Sequence, residues 1–214
     1  MRRPREASAD AEASGTGAAR IEPGGFAQLW PVNWLIWRLL SRLSGTSGSQ
    51  LLGTIGLAGG LFRAWLYFGA RLMPGGKLKR YQCELVILRV AWLRNCRYVF
   101  DHHRRMGRRH GITHDVIDRI AQGSTAPGWT SSEVALLSAA ETLVSEKSLS
   151  DRQWQALTAH FDHRRLIELC LLVGHYDVVA TMVDVLRIQQ DTPRTKSARR
   201  HRISSRFPTD GKSS

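Results

Sequence analysis

Apolar residues recur at helical spacing through most of the chain, in segments that runs of Gly, Pro and Ser separate. Leu61, Trp65 and Phe68 lie three or four positions apart, and Pro74-Gly75-Gly76 follows soon after them. This spacing predicts a helix with one apolar side, and the Pro-Gly-Gly run predicts its end. No segment shows the strict alternation that is typical of a half-buried strand. The pattern therefore predicts an all-α fold.

Helix caps divide the second half of the chain. Thr130 with Glu133 and Ser150 with Gln153 each form a capping box, in which the first residue caps a helix and the fourth returns the hydrogen bond. The stretch from His163 to Ile188 is apolar almost all round. We expect such a helix to lie in the middle of the domain or at a subunit interface.

The two ends of the chain lack this helical pattern. Residues 1–25 are rich in Ala, Gly, Ser and charge, so we expect a disordered leader there. We expect one helical domain over residues 26–190 and a basic disordered tail over residues 191–214. A chain of this length is sufficient for one domain with a sizeable core.

The formal charge of +13 and the pI near 10.8 are unusual for a soluble protein. From Arg194 onward, seven basic residues face Asp210 alone, so much of the excess lies in the tail. Nucleic-acid binding through this tail is one interpretation of the charge. A solvated tail without a specific partner is the stronger interpretation, because no recognition motif accompanies the basic residues.

Cysteine usage and the absence of targeting signals favour the cytoplasm. Cys83, Cys96 and Cys170 are widely and irregularly spaced, unlike a disulfide framework, which favours a reducing compartment. No apolar run follows the basic residues near the N-terminus, so we expect no signal peptide. The uncharged segment 51–62 is too short to cross a bilayer.

Three tryptophans cluster at the start of the expected domain. We expect Trp30, Trp34 and Trp37 to pack onto the protein's own core, since exposed aromatic patches are rare in soluble proteins. Contact with a membrane surface or with a partner subunit is the alternative. Our expectation is therefore that the chain has no membrane partner.

The segment ELVILRVAWLRNCRYVFDHH, residues 84–103, brings a carboxylate, a thiol and two imidazoles close together. It covers most of one predicted helix, residues 81–93, and the start of another, residues 96–110. Cys96 begins the second helix, where free backbone N–H groups and the helix dipole favour a thiolate. A cysteine on a helix is nevertheless more often a small core residue than a nucleophile.

Helical geometry selects which histidine can act with this thiol. His103 lies seven residues after Cys96, which is two turns along and on the same face, whereas His102 is rotated by about 100°. If the two helices pack antiparallel, Glu84 returns towards that face and can orient His103 or share a proton with it. Alternatively, Glu84 only satisfies a buried partner.

This segment resembles the signature of the carboxymuconolactone decarboxylase and alkylhydroperoxidase D-type family. That signature has a Glu, eleven intervening residues, a Cys-x-x-Cys pair and a His four residues later, and Glu84, Cys96 and His103 fall on it with the same spacing. The runs LFRAWLYFGARL, APGWTSSEVALLSAAETLV and LIELCLLVGHYDVVA are also similar to family members. The resemblance covers about residues 33–188 and implies an alkylhydroperoxidase D-like helical bundle that assembles as a homo-oligomer.

Val99 stands where the family has its second cysteine. A two-cysteine peroxidase resolves the sulfenic acid of one thiol with the other, which a valine cannot do. Cys83 could replace it only if its helix placed it beside Cys96. We therefore expect a peroxiredoxin-type peroxidase with a single thiol at Cys96, assisted by His103 and Glu84 and reduced by an external thiol.

The resemblance leaves a second chemistry open. His103 and Glu84 would then perform cofactor-free proton transfer, such as decarboxylation of a small carboxylated lactone. Arg97 or Arg89 could bind the carboxylate of the substrate, although exposed surface charge is the simpler role for each. His175 is a further candidate for the substrate pocket, or else a hydrogen-bonded core histidine. We expect no cofactor and no metal, because no zinc-ligand spacing is present.

Overall fold

A computed structural model describes residues 17–73 and 75–194, and within these residues every named element is helical. The helices are α1 (Phe26–Leu43), α2 (Gln50–Gly56), α3 (Gly60–Leu72), α4 (Arg80–Leu93), α5 (Arg97–Gly107), α6 (His114–Gln122), α7 (Ser131–Glu146), α8 (Asp151–Thr158) and α9 (His163–Val185). The prediction of an all-α fold is confirmed.

Helix α4 lies at the centre of the domain. Nine consecutive residues of α4, from Cys83 to Ala91, are buried, because α5, α6, α7 and α9 pack around it. The expected central helix, α9, is buried on one side only, through residues such as Leu172 and Val179. Its opposite side exposes Ile167 and Val178. The side chains of α4 therefore have defined surroundings, and the site residues among them are held by packing on all sides.

Local capping sets where most helices begin. Thr130 and Ser150 cap α7 and α8 as capping boxes, as the sequence predicts. Asn95 adopts a positive φ of 49° between α4 and α5, a conformation that asparagine tolerates better than most residues. Cys96 is the N-cap of α5, and Gly111, at φ 92°, ends the short 3₁₀ turn that follows it.

The tryptophan cluster differs from the prediction. Trp37 is partly buried, and its Nε1 donates to the carbonyl of Ser49 at 2.9 Å. Trp30 is 77% exposed, and its φ of 58° and ψ of 151° interrupt α1 just before Pro31. The expectation that all three tryptophans pack on the core is thus wrong for Trp30, because the kink directs this side chain away from the domain.

Both ends of the described chain pack onto the helices. Near the start, Gly24 N–H donates to the carbonyl of Gly53 at 3.1 Å. Near the end, Ser47 N–H donates to the carbonyl of Thr192, and Arg194 N–H donates to the carbonyl of Gly45. Described residues on both sides of the predicted limits, 26 and 190, therefore contact the helices, and the limits themselves stay a prediction. The remaining residues of the expected leader and tail, 1–16 and 195–214, lie outside the described residues.

One described helix, α9, is long and apolar enough to cross a membrane, with a mean hydropathy of 1.7 over its best window. A core helix of a soluble protein passes the same test, so this property is weak support for a membrane span. Contacts of α9 with α3, α4, α5, α7 and α8 account for its buried side.

A buried ionic network fastens α4 to α6 and α7. Arg89 Nε lies 2.8 Å from Glu141 Oε1, and its Nη1 donates to the carbonyl of Ile120 at 2.8 Å. Glu141 also accepts hydrogen bonds from the N–H and the hydroxyl of Ser124, at 2.8 and 2.6 Å. Arg89 is therefore a buried structural residue and neither a surface charge nor a binder of substrate.

Replacing Arg89 with Met should lower the free energy of unfolding by about 3 kcal/mol, because Glu141 and a carbonyl would lose their buried donor. Urea denaturation of the wild type and the variant measures the difference. Arg97→Met is the matched control, since the Arg97 side chain is 84% exposed, and should change stability by less than about 0.5 kcal/mol. Equal losses in both variants would show that the network does not stabilise the fold.

Candidate active site

Glu84 and His103 form a buried pair between α4 and α5. His103 Nδ1 lies 2.9 Å from Glu84 Oε2, and the Glu84 side chain has no exposed surface. An ionised carboxylate only accepts hydrogen bonds, so it holds the proton of the imidazole on Nδ1. The other ring nitrogen, Nε2, has no hydrogen-bond partner within residues 17–73 and 75–194. It is therefore the atom that can exchange a proton with a bound molecule.

Arg80 completes the charges around Glu84. Its Nη2 lies 2.8 Å from Glu84 Oε1, one helical turn away, and forms an ion pair without the alignment of a hydrogen bond. Burial alone would raise the pKa of Glu84, but the hydrogen bond and charge of His103, together with the charge of Arg80, outweigh burial and lower this pKa. Glu84 is thus an anion at neutral pH although it is fully buried.

His103 lies on the wall of a cavity of about 530 Å³, which we name the Arg80 cavity. This volume is in the range of small-molecule sites. The wall of this cavity combines apolar side chains with one arginine, Arg80, and three histidines. The Nε atom of Arg80 is buried without a hydrogen-bond partner in the described chain. The lining residues are Leu72, Met73, Gly76, Leu78, Arg80, Cys83, His102, His103, Met106, His110 and Tyr176.

A second cavity of about 660 Å³ also has His103 in its wall, and we name it the Trp65 cavity. It is lined mainly by apolar residues of α1, α2, α3, α5 and α9, with Trp65 and Tyr67 among them. The two cavities share four wall residues, Met73, His102, His103 and Tyr176. The imidazole of His103 thus borders both cavities, one lined by Arg80 and one lined by Trp65.

His175 and Tyr176 reach this site from α9. The ring of Tyr176 lies edge-on to His103, with centroids 5.0 Å apart, and burial raises the pKa of its hydroxyl above the usual range. His175 stacks on Trp65 at 5.3 Å and lines the Trp65 cavity, so the structure places it at the site, as the sequence suggested. Burial, with the charge of His103, lowers the pKa of His175.

His102 also lines both cavities. Helical geometry favours His103 over His102 as the partner of Cys96, because His102 is rotated by about 100° around the helix. Burial, with the charges of His103 and Arg105, lowers its pKa to about 3. His102 is therefore a neutral imidazole at the wall of the site. Both histidines line both cavities, and the helical spacing alone could not show this.

The structure does not bring Cys96 to either cavity. Its thiol is buried in the core at the start of α5, and burial raises its pKa more than the nearby N–H groups of Val99 and Tyr98 lower it. Cys83 is the thiol that lines the Arg80 cavity, and burial raises its pKa to about 12. Cys96 thus has the predicted position at the helix start, but not the acidic thiol expected there.

The other predicted binder of substrate, Arg97, lies outside both cavities. It is exposed and pairs with Asp101 one turn along α5, at 3.3 Å. Sequence reasoning missed Arg80, which lines the Arg80 cavity whereas Arg97 does not. Its position four residues before Glu84 was a usable signal, because residues at this spacing meet on a helix. Among the described residues, no group of three or more His, Cys, Asp and Glu could hold a metal ion.

Comparison with known proteins supports the predicted family. Residues 59–142 match the profile of the Carboxymuconolactone decarboxylase family, and this range contains Glu84, Cys96 and His103. No protein of curated function matches the chain. The match therefore confirms the family that the spacing of Glu, Cys and His indicated.

Solved structures extend the likeness to the fold. An alkylhydroperoxidase AhpD core, an uncharacterized peroxidase-related protein from Ralstonia eutropha JMP134, is 16% identical with a TM-score of 0.69, over 80% of this chain and 92% of its own. A peroxidase-related protein from Silicibacter sp. TM1040 is 13% identical with a TM-score of 0.67, over 78% and 92%. The debrominase Bmp8 is 14% identical with a TM-score of 0.68, over 79% and 91%. At these identities the likeness shows a shared AhpD-like fold.

Because the pKa of His102 is lowered in the folded protein, the free energy of unfolding depends on pH. Between pH values of about 3 and 6.5 the unfolded chain takes up a proton on His102 that the folded chain does not, so stability falls as the pH falls. Replacing His102 with Gln should flatten this dependence by up to about 1.4 kcal/mol per pH unit. Unfolding by urea at several pH values measures the slope.

The control for this experiment is His114→Gln, because His114 is exposed at the start of α6. We expect it to leave the slope of the wild type unchanged. If His102→Gln also left the slope unchanged, His102 would be protonated in the folded protein, which would contradict its burial as a neutral imidazole.

Proposed function

This chain carries a domain of the carboxymuconolactone decarboxylase family over residues 59–142, and from that premise we propose that it is a cofactor-free acid/base enzyme. His103 is the group that transfers the proton. The observation that carries the proposal is the 2.9 Å contact between His103 Nδ1 and Glu84, which leaves Nε2 at the wall of two cavities. A buried carboxylate behind an imidazole is an arrangement suited to general base and general acid catalysis.

The pair works through charge as well as orientation. Glu84 fixes the tautomer of His103 with the proton on Nδ1, so that Nε2 can accept a proton from a bound molecule. When Nε2 takes that proton, the imidazolium is stabilised by the anionic Glu84 at hydrogen-bond distance. Arg80 keeps Glu84 ionised by lowering its pKa together with His103. The second imidazole, His102, stays neutral and does not compete for the proton.

A small organic acid fits the Arg80 cavity best. Arg80 lines this space, its Nε is buried without a partner in the described chain, and a guanidinium can bind a carboxylate. For a carboxylated lactone, loss of CO₂ leaves the electron pair of the broken C–C bond on carbon as an enolate. Before CO₂ leaves, His103 Nε2 takes up one proton from solvent, which makes the ring an imidazolium. The hydroxyl of Tyr176 can donate a hydrogen bond to the enolate oxygen. Nε2–H of the imidazolium then protonates the carbon, and His103 returns to its neutral form. Decarboxylation is thus balanced without a cofactor.

Peroxidase chemistry is the second candidate, and it is favoured by one observation in the site. Cys83 lines the same cavity as His103, so a thiol is within the reach of a bound hydroperoxide. Its thiolate would attack one peroxide oxygen, release the alcohol and become a sulfenic acid, which an external thiol would reduce. The pKa of about 12 opposes this step, because little thiolate exists at neutral pH. The original candidate, Cys96, has the further disadvantage that it lines neither cavity.

Self-association, expected from the family resemblance, has a suitable surface on α9. Ile167, Leu171, Val178 and Val185 are exposed on one side of this helix. Their spacing places them on one stripe about 27 Å long, by the rise of an α-helix. A second copy of the chain that covers this stripe would bury it, as a two-fold symmetric interface does.

Variants of the cavity separate the two chemistries. Replacing His103 with Gln should lower the turnover of carboxylated lactones by about a hundredfold or more, since it removes the proton-transferring group. Glu84→Gln should lower turnover less, because the amide oxygen can still accept from Nδ1 but carries no charge. The measurements are loss of the lactone chromophore and release of CO₂, with the fold of each variant checked by circular dichroism.

Cys83→Ser and Cys96→Ser are the matched controls, and both should keep decarboxylase activity. The same variants are assayed for consumption of a small alkyl hydroperoxide with excess dithiothreitol. Two results together would overturn the acid/base proposal in favour of a thiol peroxidase. The wild type would turn over no lactone, and its consumption of peroxide would be abolished by Cys83→Ser or by Cys96→Ser.

A further inference from the structure

The first third of the domain carries basic residues without any acidic ones. Between Glu22 and Glu84 the sequence contains seven Lys and Arg residues and no Asp or Glu. This segment includes α1, α2 and α3. The rest of the chain mixes both signs of charge, so the excess here is a property of one part of the domain. Two of the seven basic residues, Arg38 and Arg42, lie on α1, and a local excess of positive charge attracts anionic partners.

Helix α1 also exposes a continuous apolar stripe. Val32, Leu35, Leu39 and Leu43 are spaced by three or four positions and are 58, 61, 56 and 75% exposed. The opposite side of α1 faces the domain, where Asn33 and Ser41 are buried. At the kinked start of the helix, Trp30 adds a large exposed ring. Other apolar residues of α1, such as Leu29 and Leu40, face the domain, so this helix presents apolar side chains to solvent as well as to the core. A surface helix of a soluble protein usually has a polar outer side.

Two arginines flank this stripe. Arg38 and Arg42 each lie three residues after an exposed leucine of the stripe, and both are exposed. Neither forms an ion pair with any residue in the described part of the chain. Arg38 instead lies over the ring of Trp34, at 5.1 Å from its centroid. An apolar stripe with basic residues and tryptophan beside it is the composition of helices that lie in a lipid interface.

We propose that this surface, the outward side of α1, docks on an anionic lipid membrane, with the stripe in the interface and Arg38 and Arg42 at the headgroups. The proposal goes beyond the proposed function and does not depend on it. It replaces the expectation that the chain has no membrane partner. A peripheral contact of this kind needs no helix that spans the bilayer.

Charge decides between a membrane and a second copy of the chain. A two-fold symmetric interface through α1 would bring the same patch of each copy together, so Arg38 and Arg42 would face the arginines of the other copy, and α1 carries no Asp or Glu to pair with them. The chain's own ends are also poor covers for the stripe. Residues 1–16 contain no large apolar residue after Met1, and residues 195–214 contain Ile203 and Phe207 alone.

The end of the described chain adds to the positive charge at this surface. Thr46, just beyond α1, forms a bridge with Pro193, and Arg194 N–H donates to the carbonyl of Gly45 at 3.0 Å. Arg194 is therefore held beside the C-terminal end of α1. Each basic residue close to an anionic membrane adds to the attraction.

The test is co-sedimentation of the full chain with two kinds of vesicle, phosphatidylcholine alone and phosphatidylcholine with phosphatidylserine. We expect binding to the anionic vesicles and little binding to the neutral ones. Leu35→Gln with Leu39→Gln should weaken binding by about tenfold or more, because it removes the apolar contact. Arg38→Gln with Arg42→Gln should weaken it by about thirtyfold. All four positions are exposed, so the variants should fold.

Matched controls come from other surfaces of the domain. Ile167→Gln with Leu171→Gln removes two side chains of similar exposure from α9, and Arg152→Gln with Arg164→Gln removes two exposed charges. The proposal would be overturned if both control pairs weakened vesicle binding as much as the α1 variants do. It would also be overturned if the leucine variant bound the anionic vesicles as tightly as the wild type. Sedimentation equilibrium without lipid provides a further check. An oligomer that the leucine variant dissociates would show that a second copy covers α1.

Discussion

The hydrogen bond between His103 and Glu84 is the interaction on which the candidate site depends. A carboxylate without exposed surface is costly to bury, and here two cationic or hydrogen-bonding neighbours offset that cost. Because α4 is packed on all sides, Glu84 cannot move away from its partners. The imidazole is consequently held in one orientation, and both cavities are defined by where its ring lies.

Two arginines of α4 show how the same residue type serves different purposes on one helix. The donors of Arg89 are used by Glu141 and by carbonyl groups of α6, so this side chain joins helices. Arg80 lies at the start of α4, where the helix end borders a cavity, and its Nε has no partner within the described chain. An arginine with its donors satisfied stabilises the fold, whereas one with a buried free donor at a cavity can bind an anion.

The sequence predicted the helices and part of the site because those features depend on residues close together in the chain. The caps at Thr130 and Ser150 each form within one helical turn. Glu84 and His103 lie on two consecutive helices, α4 and α5, so their contact also depends on nearby sequence. The contribution of Tyr176 was not predictable in this way, since it comes from a helix more than seventy residues away. The burial of Cys96 likewise depends on the distant segments that pack over the start of α5.

Exposure of the three cysteines differs in a way that matters for chemical labelling. Cys83 and Cys96 are buried and Cys170 is exposed on the outer side of α9. Burial raises the pKa of all three thiols, so access decides which one reacts first. An alkylating reagent or a fluorescent maleimide would therefore modify Cys170 and report on the environment of the α9 surface. Loss of reactivity towards such a probe would indicate that this surface is covered, and would carry no information on the state of His103.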